Sequence, residues 1–326
     1  MKKHTEEILF KNTVPPRINK DIFPSLLKSG DIFKLEDGVY GLGGIALELF
    51  DYFNNSIKRA GLRLGATEYQ YPSLISIKSI QKMNYLRRAP EILNFVSHLN
   101  FVSRLKNDVD IVETFIKKNK NAKNKIFIKE NIDTDFVISP ATCLHEYQRL
   151  QDSNLNLPDG KVIVGGASKC SRFEPESTNA LDKLRDFTMR EIVCIGSSKE
   201  VLSFVDKAFV CAKSLLKMWG LNSFITTGDD PFVIKKSRVQ SDFLDFFELK
   251  YELKAVIPFN KKEISIASLN YYKDFFGKSF NIRNNGKFAH TSCLAYGLER
   301  CVYAFLSQYG LDQSFWPRSI LKNLKK

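Results

Sequence analysis

Two β-rich runs, KVIVGGA at 161–167 and REIVCIG at 190–196, are separated by a charged connection that contains Pro175. β-Branched runs bounded by turn-forming residues read as strands. This spacing predicts two strands joined by a long hairpin loop. Two more strand-like runs, FELKYELKAVIPF and KEISIASLNYY, follow each other directly. Beyond them, HTSCLAYGLERCVYAFLSQYG reads as a short extended stretch passing into a helix that starts near Tyr296. Strands that succeed one another without intervening helices favour an antiparallel sheet over a doubly wound one. The chain holds no GxGxxG and no GxxxxGK[ST], so the Rossmann and P-loop routes to nucleotide binding are both unsupported. The expected class is α+β: an antiparallel β-sheet core flanked by helices.

The flanking helices show in the periodicity. IALELFDYFNNSIKRAGLR puts Ile45, Leu49, Phe53, Ile57 and Ala60 on one stripe. KEVLSFVDKAFVCAKSLLKMWG lines up Val201, Phe204, Val205, Ala208, Phe209, Ala212 and Leu216, and Gly220 is placed to stop that helix. Between Gly65 and Leu74, GATEYQYPSL reads as a short extended segment broken at Pro72. YLRRAPEILNFVSHLNFVSRL carries a proline and then resumes helical spacing. The lysine-rich stretch after Phe115 reads as an exposed insertion between elements.

A chain of 326 residues, 44% hydrophobic and 12% aromatic, can bury a large core. It has no apolar run of about 18 residues, so no membrane span is expected. The start, MKKHTEEILF, lacks the apolar core and cleavage site of a secretory signal. Six cysteines without tight pairing argue against a disulfide framework and for a reducing cytoplasm. Cys170, Cys194, Cys211 and Cys301 sit in or beside apolar runs and read as small buried hydrophobes. The net charge of +13 and a pI near 9.3 call for an acidic partner, and both RNA and an acidic protein fit. IKKNKNAKNKIF and the tail LKNLKK hold basic clusters, which solvated loops would explain equally well. They lack interleaved aromatics, so stacking on single-stranded bases is not indicated.

The chemistry concentrates elsewhere. Cys143, Glu191 and Cys293 lie far apart in sequence, in ATCLHEYQRL, FTMREIVCIG and AHTSCLAYGLER. Two thiolates and one carboxylate can hold Zn²⁺ while leaving its fourth position open, as a working metal requires. Arg172 follows the first predicted strand and stands two positions before Glu174, so on an extended chain the two point the same way. A guanidinium grips a phosphate bidentately and stabilises charge on a phosphorus under attack. An ordinary surface ion pair is the alternative for these two. His145 and Glu146 read as a helix surface, and the aromatic run NYYKDFF as core.

RFEP, a loop and then FTMRE resembles motif 2 of class II aminoacyl-tRNA synthetases. AYGLERCVYAFL resembles motif 3, with Gly297 and Arg300 at its marked positions, and Pro72 in YQYPSL looks like the looser motif 1. With the Cys–Glu–Cys set interleaved, the pattern resembles two branches of that superfamily. One is the atypical zinc-dependent seryl-tRNA synthetase. The other is the amino acid:[carrier protein] ligases, truncated relatives that load an amino acid onto a carrier protein's phosphopantetheine thiol. The second resemblance is the closer and runs from about residue 45 onward, through NYLRRAPEILNFV, KCSRFEPES, DFTMREIVCIGS, LKYELKAVIPF, IASLNYYKDFFG and AHTSCLAYGLERCVYAFLSQYGLDQSFWP.

The resemblance implies one class II synthetase-like catalytic domain over 1–326, with its core at 45–326, a peripheral lysine-rich segment around 100–130 and no separate tRNA-binding domain. It implies Zn²⁺ on Cys143, Glu191 and Cys293, with the substrate's amino group in the open position, so that Glu191 and Cys293 also border the substrate. ATP with Mg²⁺ would meet Arg172 at the α-phosphate, Glu174 near the adenine amine and Phe187 stacked on adenine. Lys183 and Leu184 match loop contacts; Lys250, Ser265, Ile266 and Ala267 match further ATP contacts; Arg300 matches a contact to the γ-phosphate or the adenine face. His290 falls beside the third zinc segment as a supporting residue rather than a ligand. Tyr272 stands where the family has histidine, a departure that bears on amino acid choice or carrier docking. The implied partners are a small amino acid (glycine, alanine or serine), ATP and an acidic holo carrier protein. tRNA suits the basic charge equally well, and a homodimer is expected by analogy.

Overall fold

The computed structural model describes residues 6–99, 117, 132–157, 160–174, 180–228 and 249–324. Its centre is an eight-stranded sheet. The strands in chain order are β1 (Ile8–Asn12), β2 (Thr67–Gln70), β3 (Lys161–Ser171), β4 (Asp186–Gly196), β5 (Ser223–Thr227), β6 (Leu249–Ile257), β7 (Lys262–Tyr271) and β8 (His290–Gly297). Their order across the sheet is β1-β5-β6-β7-β8-β4-β3-β2. Every neighbouring pair is antiparallel except β2 on β3. The expected α+β architecture is therefore present, and the predicted hairpin is β3–β4, paired in unbroken register from Lys161↔Gly196 to Ser171↔Asp186.

The helices that matter are α1 (Gly44–Arg63), α2 (Cys143–Arg149), α3 (Ser198–Trp219) and α4 (Leu298–Tyr309). On α1 the buried positions Ala46, Leu49, Phe53, Ile57 and Ala60 recur every three or four residues, as an amphipathic helix requires. Ile45, expected on that stripe, is only half-buried, and Ala46 takes its place. α3 begins at Ser197, whose hydroxyl accepts the Glu200 N–H, and ends at Gly220 in the left-handed region (φ 68°). α4 is buried along nearly its whole length because it lies between the sheet and α1.

The central strands separate two hydrophobic clusters by strict alternation. Ile192, Cys194, Leu294 and Tyr296 join the cluster under α1, α3 and α4. Val193, Ile195, Cys293 and Ala295 join a smaller one with Leu144, Tyr147 and Phe276. Burial on both faces explains why these strands read as nearly continuous apolar runs.

Two expectations change. The stretch after Pro90, expected to be helical, forms one 3₁₀ turn, Pro90–Ile92, and then a strand, Asn94–Leu99. That strand pairs with Ile132–Ile138, which also pairs Leu74–Ser76. A pairing with a partner some forty positions away overrides the local period. The helix expected to start near Tyr296 begins at Leu298, because Tyr296 and Gly297 still pair with Arg190 and Met189 of β4. Apart from Lys117, which is exposed, the lysine cluster at 118–125 lies outside the described residues, as do Pro175 and the last two lysines of the tail. Among the described residues no helix is long and apolar enough to cross a membrane.

Candidate active site

Cys143, Glu191 and Cys293 converge. One potential ligand atom from each, two sulfurs and a carboxylate oxygen, lie within 4.8 Å of one another, and all three residues are buried. Register explains the meeting of the last two. Cys293 pairs with Val193, and Glu191 with Ala295, so both side chains leave the sheet on one face from adjacent strands. Cys143 arrives from above, as the first residue of α2. The backbone N–H groups of Thr142 and Cys143 donate to the two Glu191 oxygens at 2.9 and 3.1 Å, and the Cys293 thiol donates to Oε2 at 2.9 Å. Burial pushes the Cys293 thiol well above its ordinary pKa, with Cys143 and Glu191 adding to the rise. At Cys143 the Cys293 contact pulls down, yet burial and Glu191 outweigh it and the thiol is raised. Three buried donors that bind metal as anions need a cation among them. Thiolate sulfur and carboxylate oxygen are both donors that zinc accepts, and three protein donors leave its fourth position open, so these residues fit the metal.

A cavity of about 790 Å³ reaches this group. Cys143 and Glu191 line it directly, and Cys293 sits just behind them. The remaining residues singled out from the sequence all line the same cavity: Arg172, Glu174, Lys183, Leu184, Phe187, Lys250, Ser265, Ile266, Ala267 and Arg300. Arg172 donates from Nε to the Pro140 carbonyl at 2.9 Å and from Nη2 to Met189 Sδ at 3.7 Å, and lies 5.4 Å over the Phe187 ring. Arg300 donates from Nη1 to the Ser265 carbonyl at 3.0 Å. Burial, with the nearby positive charge of Arg172, lowers the Arg300 pKa from its ordinary value. Two guanidiniums facing one cavity mark a place for a polyanion. Lys250 reaches Glu252 at 2.9 Å.

Four details depart from the sequence reading. Tyr272, Phe275 and Phe276 line the cavity rather than serving only as core. Tyr272 meets Phe276 edge-on at 5.1 Å, and Tyr147 stacks on Phe276 at 4.0 Å, so the metal end is walled by rings. Glu146, expected on a helix surface, is fully buried; it pairs with Arg149 at 2.5 Å and accepts from Tyr71 Oη at 2.9 Å. His145 is buried beside it. His290 lies against Tyr271 Oη at 2.6 Å.

Asn270 was not anticipated. It pairs with Cys293 across β7–β8, lines the cavity, is 6% exposed, and its side-chain oxygen has no hydrogen-bond partner among the described residues. Its Nδ2 donates to Ser268 Oγ at 3.0 Å. Only the register with Cys293 gives it away, and no spacing in the sequence announces that register.

Comparison with known proteins places this geometry. Residues 126–309 match the model of the tRNA synthetase class II core domain (G, H, P, S and T). The chain is similar to amino acid–[acyl-carrier-protein] ligase 1 of Bradyrhizobium diazoefficiens, 29% identical over 259 residues, covering 78% of this chain and 76% of that one. It is also similar to the type-2 serine–tRNA ligase of Methanocaldococcus jannaschii, 26% identical over 279 residues, covering 81% of this chain but 51% of that one. The chain thus spans about half the length of the serine–tRNA ligases it matches. Among solved structures, M. kandleri SerRS in complex with A. aeolicus tRNASec shares the fold with a TM-score of 0.85 at 21% identity, over 98% of this chain and 63% of that one. The match covers more than half of the chain and includes Cys143, Glu191, Cys293, both cavity arginines and the strands β3 to β8: this protein belongs to the class II core domain family of tRNA synthetases.

Proposed function

We propose that the protein activates a small amino acid with ATP and transfers it, through the adenylate, to the phosphopantetheine thiol of a carrier protein. One observation carries this reading. A single cavity is lined by Cys143 and Glu191 of the Cys–Glu–Cys set and by Arg172, Glu174, Phe187 and Arg300, which supports an amino acid and a nucleotide meeting in one site. In the first step a carboxylate oxygen of the amino acid attacks the α-phosphorus, the bond to the β-phosphate oxygen breaks, and pyrophosphate leaves. Arg172 holds the α-phosphate and offsets the charge that builds there. Phe187 stacks on the adenine, Glu174 accepts from its exocyclic amine, and Lys183 and Leu184 border the same ring. Lys250, the β7 segment Ser265–Ala267 and Arg300 hold the rest of the nucleotide, which arrives with Mg²⁺. Cys143, Glu191 and Cys293 hold zinc, which when bound supplies a Lewis-acid template for the substrate's amino group. In the second step a thiolate attacks the acyl carbon, the bond to phosphate oxygen breaks, and AMP leaves.

The rings of Tyr272 and Phe276 border the cavity, with Tyr147 stacked on Phe276, and this aromatic lining beside the donors supports a small amino acid: glycine, alanine or serine. The unpartnered Asn270 oxygen supports a substrate N–H or O–H at that wall. The net charge of +13 suits an acidic carrier by steering. The same charge, with the likeness to serine–tRNA ligases, favours tRNA as the second reading. Two assays decide. Pyrophosphate exchange is expected with one small amino acid; exchange with none would leave a binding protein without turnover. Labelled amino acid and ATP are then offered holo carrier protein or total tRNA, and product on tRNA alone overturns the carrier reading.

A further inference from the structure

Glu299 has no role so far, yet it is one of the most constrained carboxylates in the molecule. It is 4% exposed, in the first turn of α4. Its oxygens accept the Thr188 N–H at 2.9 and 2.8 Å, and Oε1 also accepts the Thr188 hydroxyl at 2.9 Å. Lys169 Nζ lies 3.5 Å from Oε1 and 3.3 Å from Asp186, which closes the group with a cation.

The position explains the arrangement. The β8–β4 ladder ends at Gly297↔Met189, where β8 turns into α4. Thr188 is the next residue along β4, and β8 no longer offers it a carbonyl. The Glu299 carboxylate takes that N–H instead, continuing the ladder with a side chain. Buried N–H groups require an acceptor, so the contact also holds the strand in place. Phe187 precedes Thr188 and Arg300 follows Glu299, and both line the cavity. On its other side Arg300 is tied to Ser265 of β7.

We infer that Glu299 is a positioning residue for the nucleotide: by joining Thr188 to the first turn of α4 it fixes Phe187 and Arg300 as facing walls of one slot. This rests on the ATP reading above. Glu299 lines the same cavity, but among the described residues its hydrogen bonds run to Thr188 and Lys169 and not to the Cys–Glu–Cys donors, so its loss is expected to act on the nucleotide.

The test measures ATP and amino acid KM in pyrophosphate exchange, with bound zinc and circular dichroism alongside. Glu299→Ala is expected to raise the ATP KM at least tenfold, with the amino acid KM and zinc content unchanged within twofold. Glu299→Gln, which keeps one acceptor, should fall between it and the wild type. Thr188→Val removes only the hydroxyl contact and keeps the side-chain shape. It should raise the ATP KM about threefold, and it serves as the reading if Glu299→Ala does not fold. An unchanged ATP KM in Glu299→Gln and Thr188→Val, or an equal rise for both substrates, overturns the inference. A wild-type protein that neither binds ATP nor exchanges pyrophosphate sinks the activation reading itself, and this inference with it.

Discussion

Cys293 and Leu294 are neighbours on β8 that serve opposite sides of one sheet. Cys293 faces the cavity and meets Glu191, whereas Leu294 faces the helices and is fully buried in the main core. The same division runs along β4, where Glu191 faces the cavity and Arg190 turns away to Glu68 at 2.6 Å. The cavity face keeps charged and polar groups buried through hydrogen bonds. The helix face carries the larger apolar cluster, in which Arg190 is buried through Glu68 and Asn54. The sheet thus separates what the protein does from what holds it together, one residue at a time.

The sharpest way to break this division is Cys293→Ser, or Cys143→Ser. Either should lose bound zinc and amino acid activation together, read by metal analysis and pyrophosphate exchange. Full activation in a metal-free variant would refute the template role. Next, Arg172→Ala should slow adenylate formation by about 10²–10³, roughly 3–4 kcal/mol by analogy with single oxyanion donors. Retained exchange would remove Arg172 from the mechanism. On the other face, Leu294→Ala should cost about 3 kcal/mol of stability in denaturant unfolding, as buried leucine truncations do. It should leave zinc content intact, and loss of zinc there would show that the faces are not independent. The smallest effect is expected from Asn270→Ala. Losing one hydrogen bond to the substrate should cost about 1–3 kcal/mol, seen in the amino acid KM with the ATP KM unmoved.

How much of this was legible in sequence follows the same division. The helix face announced itself: Leu49, Phe53 and Ile57 on α1, and Val201, Phe204 and Val205 on α3, repeat at helical spacing and are buried as that spacing requires. The convergence of Cys143, Glu191 and Cys293 was legible because each stands in a segment with its own chemical vocabulary. What depends on register was not. Asn270 and Glu299 matter through a partner on the next strand, and their own neighbours in sequence say nothing of it. Glu146 was misread because α2 spans only Cys143–Arg149, and so short a helix, covered on several sides, shows no polar face. Asn94–Leu99 was misread because its pairing partner begins at Ile132.

The unbroken pairing of β3 with β4 sets a rule for how this chain can change its length. Side chains along a strand alternate between faces, so an insertion of one residue within β4 would exchange Glu191 for Arg190 at the metal donors and put a carboxylate under α1. An insertion of two would restore the parity but carry every group about 7 Å along the strand. The parity rule does not reach the connection between the two strands, although Arg172, Glu174, Lys183 and Leu184 stand in it. Lineages carrying this hairpin are therefore expected to differ in length between Glu174 and Lys183 and hardly at all in the count from Asp186 to Glu191.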